Sequence, residues 1–179
     1  MKGKLLIASP HLLTDAYFSK SVIFIVDDND DGTVGMILNR PLLYRLSEAT
    51  SLGGDFQLFH GGPVEEDHLY FIHKIPEIIP GGLPITGNIH FGGDFDQLNK
   101  NLKENSGLFS DVNIRFFVGY SGWAPGQLQG EINENAWFVS DLIIDPFAVN
   151  PGTLWRDLLP RVAPEFALWK NAPDNPELN

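Results

Sequence analysis

Gly119-Tyr-Ser-Gly-Trp-Ala-Pro-Gly-Gln-Leu-Gln-Gly-Glu-Ile-Asn-Glu-Asn-Ala-Trp137 is the stretch on which the reading of the fold turns. It leaves an apolar run, residues 112–118, that reads as a buried strand. Gly119 and Gly122 carry no Cβ, so the pattern predicts that the backbone turns or approaches a neighbour there. Pro125 suits the first turn of a helix, where a missing N–H costs nothing. Leu128 and Ile132, four apart, give that helix (residues 126–135) one apolar stripe. Trp123 and Trp137 bracket the unit, and each can bury a large ring beside the strand it leaves or enters. Strand, glycine elbow and short helix make a scaffold for a site, although most side chains on it are poor catalysts.

Outward from this unit, strands dominate. Residues 4–9 predict a strand ended by Pro10, and residues 15–18 a single helical turn with Tyr17 and Phe18 inward. Residues 21–26 are β-branched and aromatic, a buried strand that pairs as a hairpin with residues 33–38 across the turn 27–32. Asn39-Arg40-Pro41 ends that hairpin, because proline cannot donate to a ladder. A short helix is expected near residues 46–49. Phe59-His60-Gly61-Gly62-Pro63-Val64 reads as a strand closing in a tight turn, and residues 68–73 and 86–91 as further strands. Residues 75–84 hold three prolines and two glycines and predict a loop. Asp94 caps a helix reaching Asn105, with Gln97 at the reciprocal capping position and Phe95, Leu98 and Leu102 on the buried face. Residues 136–140 form a strand and residues 153–159 a helix with Leu154, Trp155 and Leu158 inward. No repeat or linker interrupts residues 1–170, which therefore read as one α+β domain. Residues 171–179, rich in Pro and Asn, read as a fraying tail.

The chain has 179 residues, enough for one sizeable core, with 43% hydrophobic and 20% charged residues. Twelve Lys and Arg against 23 Asp and Glu give a net charge of -11. Nucleic-acid affinity rests on cations neutralising phosphates, so this balance disfavours direct nucleic-acid binding and, equally, an anionic membrane surface. The basic residues are scattered along the sequence. There are no cysteines, which excludes disulfides, thiolate nucleophiles and cysteine-based zinc sites. The first apolar run, residues 5–8, is too short for a signal-peptide core, and the expected setting is cytoplasmic.

Each candidate motif has a plainer reading beside it. Asp27-Asp-Asn-Asp-Asp-Gly32 fits the opening of a calcium loop, but its twelfth position is Leu38 where a bidentate Glu is needed, and strands flank it. An acidic hairpin tip is the better account, and no metal is expected. His68 and His73 point to opposite faces of a strand and cannot share an ion. Gly119-Tyr-Ser-Gly-Trp resembles a nucleophile elbow, yet Trp123 stands where the second glycine belongs and no histidine follows Ser121. The paired glycines do not continue into a phosphate-loop pattern. Gln127 and Glu131 share a helix face and, with Tyr120, Ser121 and Trp123, form a polar and aromatic patch. His60, Gly61, Gly62 and Pro63 would lie beside it. These nine residues are the candidate interaction surface. Bracing of neighbouring loops is the competing account of Gln127 and Glu131.

The chain resembles the AlgH/YqgE family of bacterial proteins. The likeness runs in order through Leu5-Leu-Ile-Ala-Ser-Pro10, Asp15, Phe18, Ser21-Val22, Gly35-Met-Ile-Leu-Asn-Arg-Pro41 and Gly61-Gly-Pro-Val64. It continues through Gly119-Tyr-Ser-Gly-Trp-Ala-Pro-Gly-Gln-Leu128, Glu131, Asn135-Ala-Trp137 and Trp155-Arg156. The connection between Pro41 and Gly61 is shorter than the family's pattern. The resemblance implies an α+β fold of coiled, mostly antiparallel, partly bifurcated sheet with helices outside, a bacterial cytoplasmic setting, and the label of transcriptional regulator. It implies no defined reaction and no cofactor. Residues 126–135 carry no Lys or Arg, unlike a helix that reads DNA. The expected function is a non-enzymatic regulatory or interaction module with a protein or small-molecule partner. The alternatives are a DNA-binding regulator, or an enzyme built on Tyr120, Ser121, Gln127 and Glu131 with His60.

Overall fold

The computed structural model describes residues 1–173 of the chain. Ten strands and four α-helices follow one another as β1 (Leu5–Ala8), β2 (Val22–Asn29), β3 (Gly32–Ile37), β4 (Pro41–Arg45), α1 (Leu46–Ala49), β5 (Gln57–His60), β6 (Val64–His73), β7 (Leu83–Thr86), β8 (Ile89–Phe91), α2 (Phe95–Glu104), β9 (Ile114–Trp123), α3 (Gln127–Asn133), β10 (Trp137–Ser140) and α4 (Leu154–Val162). Single-turn 3-10 segments occupy Pro10–Leu12 and Ser106–Leu108, and a longer one, Pro164–Asn171, follows α4. The strands join in one sheet, ordered β10-β1-β2-β3-β9-β6-β8-β7, with β5 and then β4 branching from β9. Every pairing is antiparallel except β5 with β9. This is the expected α+β, mostly antiparallel architecture.

The branch is built by β9. Along one edge it pairs with β6; along the other it pairs with β5 at residues 116–118 and with β3 at residues 121–123. Neighbouring residues of a strand point to opposite faces, so Phe116 and Phe117 enter two different cores. Phe117 joins Leu6, Ile23, Met36, Trp137 and Trp155 under α4, while Phe116 joins Leu46, Leu58, Leu98 and Leu102 under α1 and α2. Burying both faces explains why residues 114–118 are continuously apolar or, at Arg115, packed on a ring. The Arg115 guanidinium lies 4.3 Å from the centre of Phe59.

At the branch point three glycines bring backbones into contact. A Cβ on Gly61 would sit 2.2 Å from the Gly119 carbonyl oxygen, and one on Gly119, at φ 68°, 2.5 Å from the Gly62 oxygen. The Gly61 carbonyl accepts from the Ile37 N–H at 3.0 Å and from the Ser121 hydroxyl at 3.0 Å, filling the gap where β9 changes partner.

Several elements differ from the sequence reading. The elbow is not at Gly119: the strand continues to Trp123, because Gly119 serves close approach between backbones, while Gly122 leaves room for the Tyr120 ring. Pro125 precedes α3, whose N-cap is Gly126. Pro84 lies inside β7 and Pro41 opens β4, both outer strands whose missing N–H breaks no interior ladder. The first of these replaces part of the expected loop at 75–84. Strand β6 starts at Val64, four residues before the expected start at His68, across a register shift at Val64/Leu69 where Glu65 takes φ 52°. Residues 15–18 form turns in place of a helix; Phe18 packs inward but Tyr17 is exposed. Asp94 caps α2 by accepting the Gln97 N–H at 2.9 Å, with Leu98 and Leu102 buried and Phe95 exposed. Asn171 closes the last 3-10 segment, and residues 174–179 of the expected tail lie outside the described residues.

Candidate functional site

Glu131 is the hub of the elbow. Its Oε2 accepts from the indole Nε1 of Trp123 at 2.9 Å and of Trp137 at 2.7 Å, and its Oε1 accepts from Gln127 Nε2 at 2.9 Å. Gln127 Oε1 in turn accepts the Ala124 N–H at 3.0 Å, closing the turn into α3. The two indoles meet edge to face at 5.9 Å, and Phe18 stacks on Trp123 and meets Trp137 edge-on. A buried indole needs a partner for its N–H, and one carboxylate satisfies both. Trp123, Gln127 and Glu131 are therefore brought together, as a clamp tying β9, α3 and β10.

The remaining sequence-selected residues sit apart from that clamp. Ser121 is buried and its hydroxyl donates to Gly61. His60 Nε2 lies 2.7 Å from Glu66, while its buried Nδ1 has no partner among the described residues. The serine and histidine thus do not form a nucleophile–base pair. Tyr120 meets Tyr70 edge to face at 5.4 Å, and burial together with the bonded Glu65 carboxylate pushes the Tyr70 hydroxyl well above its ordinary pKa. Tyr120 borders a shallow depression of about 330 Å³ with Thr33, Val64 and Gly122; Pro63 is half-buried nearby in sequence. At the acidic hairpin Asn29 Nδ2 donates to Asp27 at 2.8 Å, and Asp28 binds the N-terminal ammonium and the Thr33 hydroxyl, which hold its carboxyl below the usual range. Among the described residues no three His, Asp or Glu side chains converge to hold a metal ion.

A larger cleft, about 800 Å³, opens between residues 13–20, Asn39-Arg40, the start of α4 and Lys170–Pro173. Among the described residues its walls carry four basic side chains, Lys20, Arg40, Arg156 and Lys170, and one carboxylate, Asp15. Local structure explains how each arrives. Asp15 Oδ1 accepts the N–H groups of Tyr17 and Phe18 at 2.8 and 2.7 Å, which winds residues 15–18 into their turn. Asn39 accepts the Val22 N–H at 2.8 Å and donates to the Lys20 carbonyl at 2.9 Å, pinning β3's exit to the start of β2. Arg40 Nη2 donates to the Ser19 carbonyl at 3.0 Å; burial lowers the guanidinium pKa and Asp15 partly offsets this. Trp155 anchors α4 by donating its indole N–H to the Ala8 carbonyl at 2.8 Å. That anchor places Arg156, exposed, on the rim. Lys20 reaches under the C-terminal segment and donates to the carbonyls of Ala172 and Pro173. Among the described residues no His, Cys or Glu lines the cleft, and the Ser19 hydroxyl donates to the Leu13 carbonyl at 2.9 Å. The arrangement suits holding an anion better than attacking one.

The AlgH-like family profile matches residues 5–167. The chain belongs to the AlgH-like family. Its relatives include a UPF0301 protein of Chlorobium limicola, 36% identical over 99% of this chain and 95% of that protein, and UPF0301 protein BF2109 of Bacteroides fragilis, 35% identical over 99% and 91%. Among solved structures, a Corynebacterium diphtheriae protein superposes with a TM-score of 0.74 at 22% identity, covering 95% of this chain and 91% of that one. The solution structure of AlgH from Pseudomonas aeruginosa gives 0.71 at 24% identity, covering 96% and 93%. These two likenesses establish the AlgH-like fold. Among the described residues no helix is long and apolar enough to cross a membrane.

Sequence reasoning did not find the cleft of this AlgH-like chain. Its cations stand at positions 20, 40, 156 and 170, so along the sequence they look scattered; the β1–β2–β3 meander and α4 gather them. The available signal was a density of special residues, Asp15, Asn39-Arg40 and Trp155-Arg156, in segments quoted above for the family resemblance.

Proposed function

We propose that this AlgH-like protein is a non-enzymatic regulatory module that works by binding a small-molecule ligand in the Lys20–Arg40 cleft. The observation that carries this reading is the concentration, among the described residues, of four basic side chains around one cleft of a chain whose net charge is -11, with no nucleophile–base pair among the described residues beside them. In this reading the protein acts in the cytoplasm and needs no cofactor or metal. Two features of the elbow favour a bracing role there: Glu131 shares its oxygens among three donors, and the Ser121 hydroxyl is engaged with Gly61.

The test is a titration of isotopically labelled protein with nucleotides, sugar phosphates, dicarboxylates and, as controls, amines. Backbone amide shifts report the site and the ligand's own spectrum reports turnover. The expected result is saturable shifts at Asp15, Lys20, Arg40 and Arg156 with an unchanged ligand. Shifts centred on His60, Tyr120 and Gln127 would move the binding face to the elbow, and conversion of the ligand would make the protein an enzyme.

A further inference from the structure

His73, the last residue of β6, lies outside both the elbow and the cleft. Its ring is fully buried, and each of its nitrogens is committed. Nε2 lies 3.0 Å from the Gly92 carbonyl oxygen, which can only accept, so Nε2 carries the proton. Nδ1 accepts the Ile75 N–H at 3.2 Å, so Nδ1 carries none. One neutral tautomer satisfies both bonds and leaves no acceptor for a second proton among the described residues. A proton on Nδ1 would set an N–H against the Ile75 N–H and bury a charge. Gly82 packs against the Gly92 bond: a Cβ there would stand 2.9 Å from both Nε2 and the Gly92 oxygen.

The Ile75 bond roots the loop that leads from β6 towards β7. The Ile75 carbonyl accepts the N–H groups of Ile78 and Ile79 at 3.0 Å, and Ile75 and Ile79 are buried in the second core with Leu98 and Leu102. Pro76 and Pro80 have no N–H to offer. The far end is tied by the Pro80 carbonyl, which accepts the Asp94 N–H at 2.8 Å. Residues 75–79 therefore enter the core through a turn whose first N–H is held by a titratable ring. From β8 that ring faces His90, half-buried and stacked at 5.6 Å, whose Nδ1 donates to the Asn88 carbonyl. The loop contributes Glu77, exposed, while β9 opposes Ile114 and β6 itself contributes Phe71, both uncharged. Burial holds the pKa of His73 below 6.5; the Gly92 carbonyl and Glu77 oppose the shift and His90 adds to it.

We propose that His73 is an acid-sensitive latch: uptake of a second proton by its ring costs the Ile75 bond and releases residues 75–79 from the second core, locally and without unfolding of the sheet. Linkage gives the direction. Above pH 6.5 the ring is neutral whether the loop is closed or open. As pH falls below 6.5 the open form takes up a proton that the closed form refuses, so opening grows until the closed ring's own lower pKa is reached. Opening presents apolar surface, Ile75 and Ile79, and does not depend on what the cleft binds.

Native-state amide exchange of the intact protein at about pH 7.5 and about pH 5.5, roughly one unit either side of the free histidine, reads the opening. Opening constants, corrected for the intrinsic pH dependence of exchange, are compared at Ile75 and Ile79 and, in the sheet, at Ile25, whose N–H donates to the Lys4 carbonyl at 3.0 Å. The loop amides are expected to open more readily than Ile25 and without sensitivity to low urea. Their opening constants should rise several-fold, up to about tenfold, at the lower pH. In His73→Asn, whose side-chain oxygen can still accept from Ile75 but cannot titrate, that rise is absent; in His90→Gln it persists. Imidazole nitrogen shifts of the parent, which need no variant, should show the Nε2–H tautomer of His73 at the higher pH. Four results would each overturn the inference: a proton on Nδ1 at the higher pH, loop amides that exchange only with Ile25 through global unfolding, opening constants unchanged at the lower pH, or a rise that survives in His73→Asn or vanishes in His90→Gln.

Discussion

At the elbow, Glu131 gives its two carboxylate oxygens to Trp123, Trp137 and Gln127, and Ser121 gives its hydroxyl to Gly61. At the cleft, Arg156 and Lys170 have no hydrogen bond or ion pair among the described residues, and Arg40 has donors beyond the one held by Ser19. Both regions combine polar side chains with a tryptophan. They differ in where the hydrogen bonds go. A polar group whose partners lie inside the chain contributes to stability, and its removal leaves a desolvated group behind. A cation on a concave surface contributes little to stability and is available to a ligand. The contrast separates a brace from a binding face, and it can be attacked from both sides.

The largest effect should come from the branch point that supports the elbow. Gly119→Ala adds a Cβ 2.5 Å from the Gly62 carbonyl at a φ of 68°, and is expected to cost about 4 kcal/mol from strain and overpacking. A loss below about 1 kcal/mol in urea denaturation would show that the backbones can separate. Next, Glu131→Ala strands two indole N–H groups and should cost about 3 kcal/mol, with Glu131→Gln losing roughly half as much because its amide oxygen still accepts. If Glu131→Ala is as stable as the parent, the clamp is not a brace and the comparison breaks.

The same logic extends to His73, a fully buried ring whose Nδ1 accepts from Ile75 at 3.2 Å and whose Nε2 donates to Gly92 at 3.0 Å. Burial lowers its pKa below 6.5, opposed by the Gly92 carbonyl, while the stacked His90 lowers it further and Glu77 raises it. Above pH 6.5 the ring is neutral in both states and adds no pH dependence. As pH falls through 6.5 the unfolded chain takes up a proton the folded chain refuses, so the unfolding free energy should fall until the lower folded pKa is reached. Urea denaturation at pH 7.5 and pH 5.5 (about one pH unit either side of the free histidine) checks this, and His73→Phe should flatten that limb.

The smallest effects on stability mark positions outside the hydrogen-bonded brace. Gly130 lies within α3 with nothing near a prospective Cβ, so Gly130→Ala should stabilise by about 0.5–1 kcal/mol. Arg156→Ala should change stability by less than about 0.5 kcal/mol.

The sequence made most of the scaffold legible because burial writes a pattern. Strand β2 is β-branched and aromatic, β9 is apolar on both faces, and Asp94 announces α2. What it concealed has physical causes. At Gly119 the sequence left a turn and a close approach equally open, because a glycine chosen for backbone contact between strands has the same letter as one chosen for a turn. Pro41 and Pro84 argued against strands that tolerate them only because these are outer strands, a fact of topology. The grouping at Glu131 was partly legible, since Gln127 and Glu131 share a helix face, and the bracing account of them fits the two indole bonds. The cleft was illegible because Lys20, Arg40, Arg156 and Lys170 come from four segments joined only by the folded sheet and α4.

The most direct test of the division between brace and binding face measures two variants in two assays. Glu131→Gln and Arg156→Gln are each compared with the parent for urea stability and for affinity towards the nucleotide, sugar phosphate or dicarboxylate that saturates the cleft. The account predicts that Glu131→Gln loses about 1–2 kcal/mol of stability and binds like the parent, while Arg156→Gln keeps its stability and binds about fivefold more weakly. A Glu131→Gln protein that is stable yet fails to bind, beside an Arg156→Gln protein that binds normally, would contradict it.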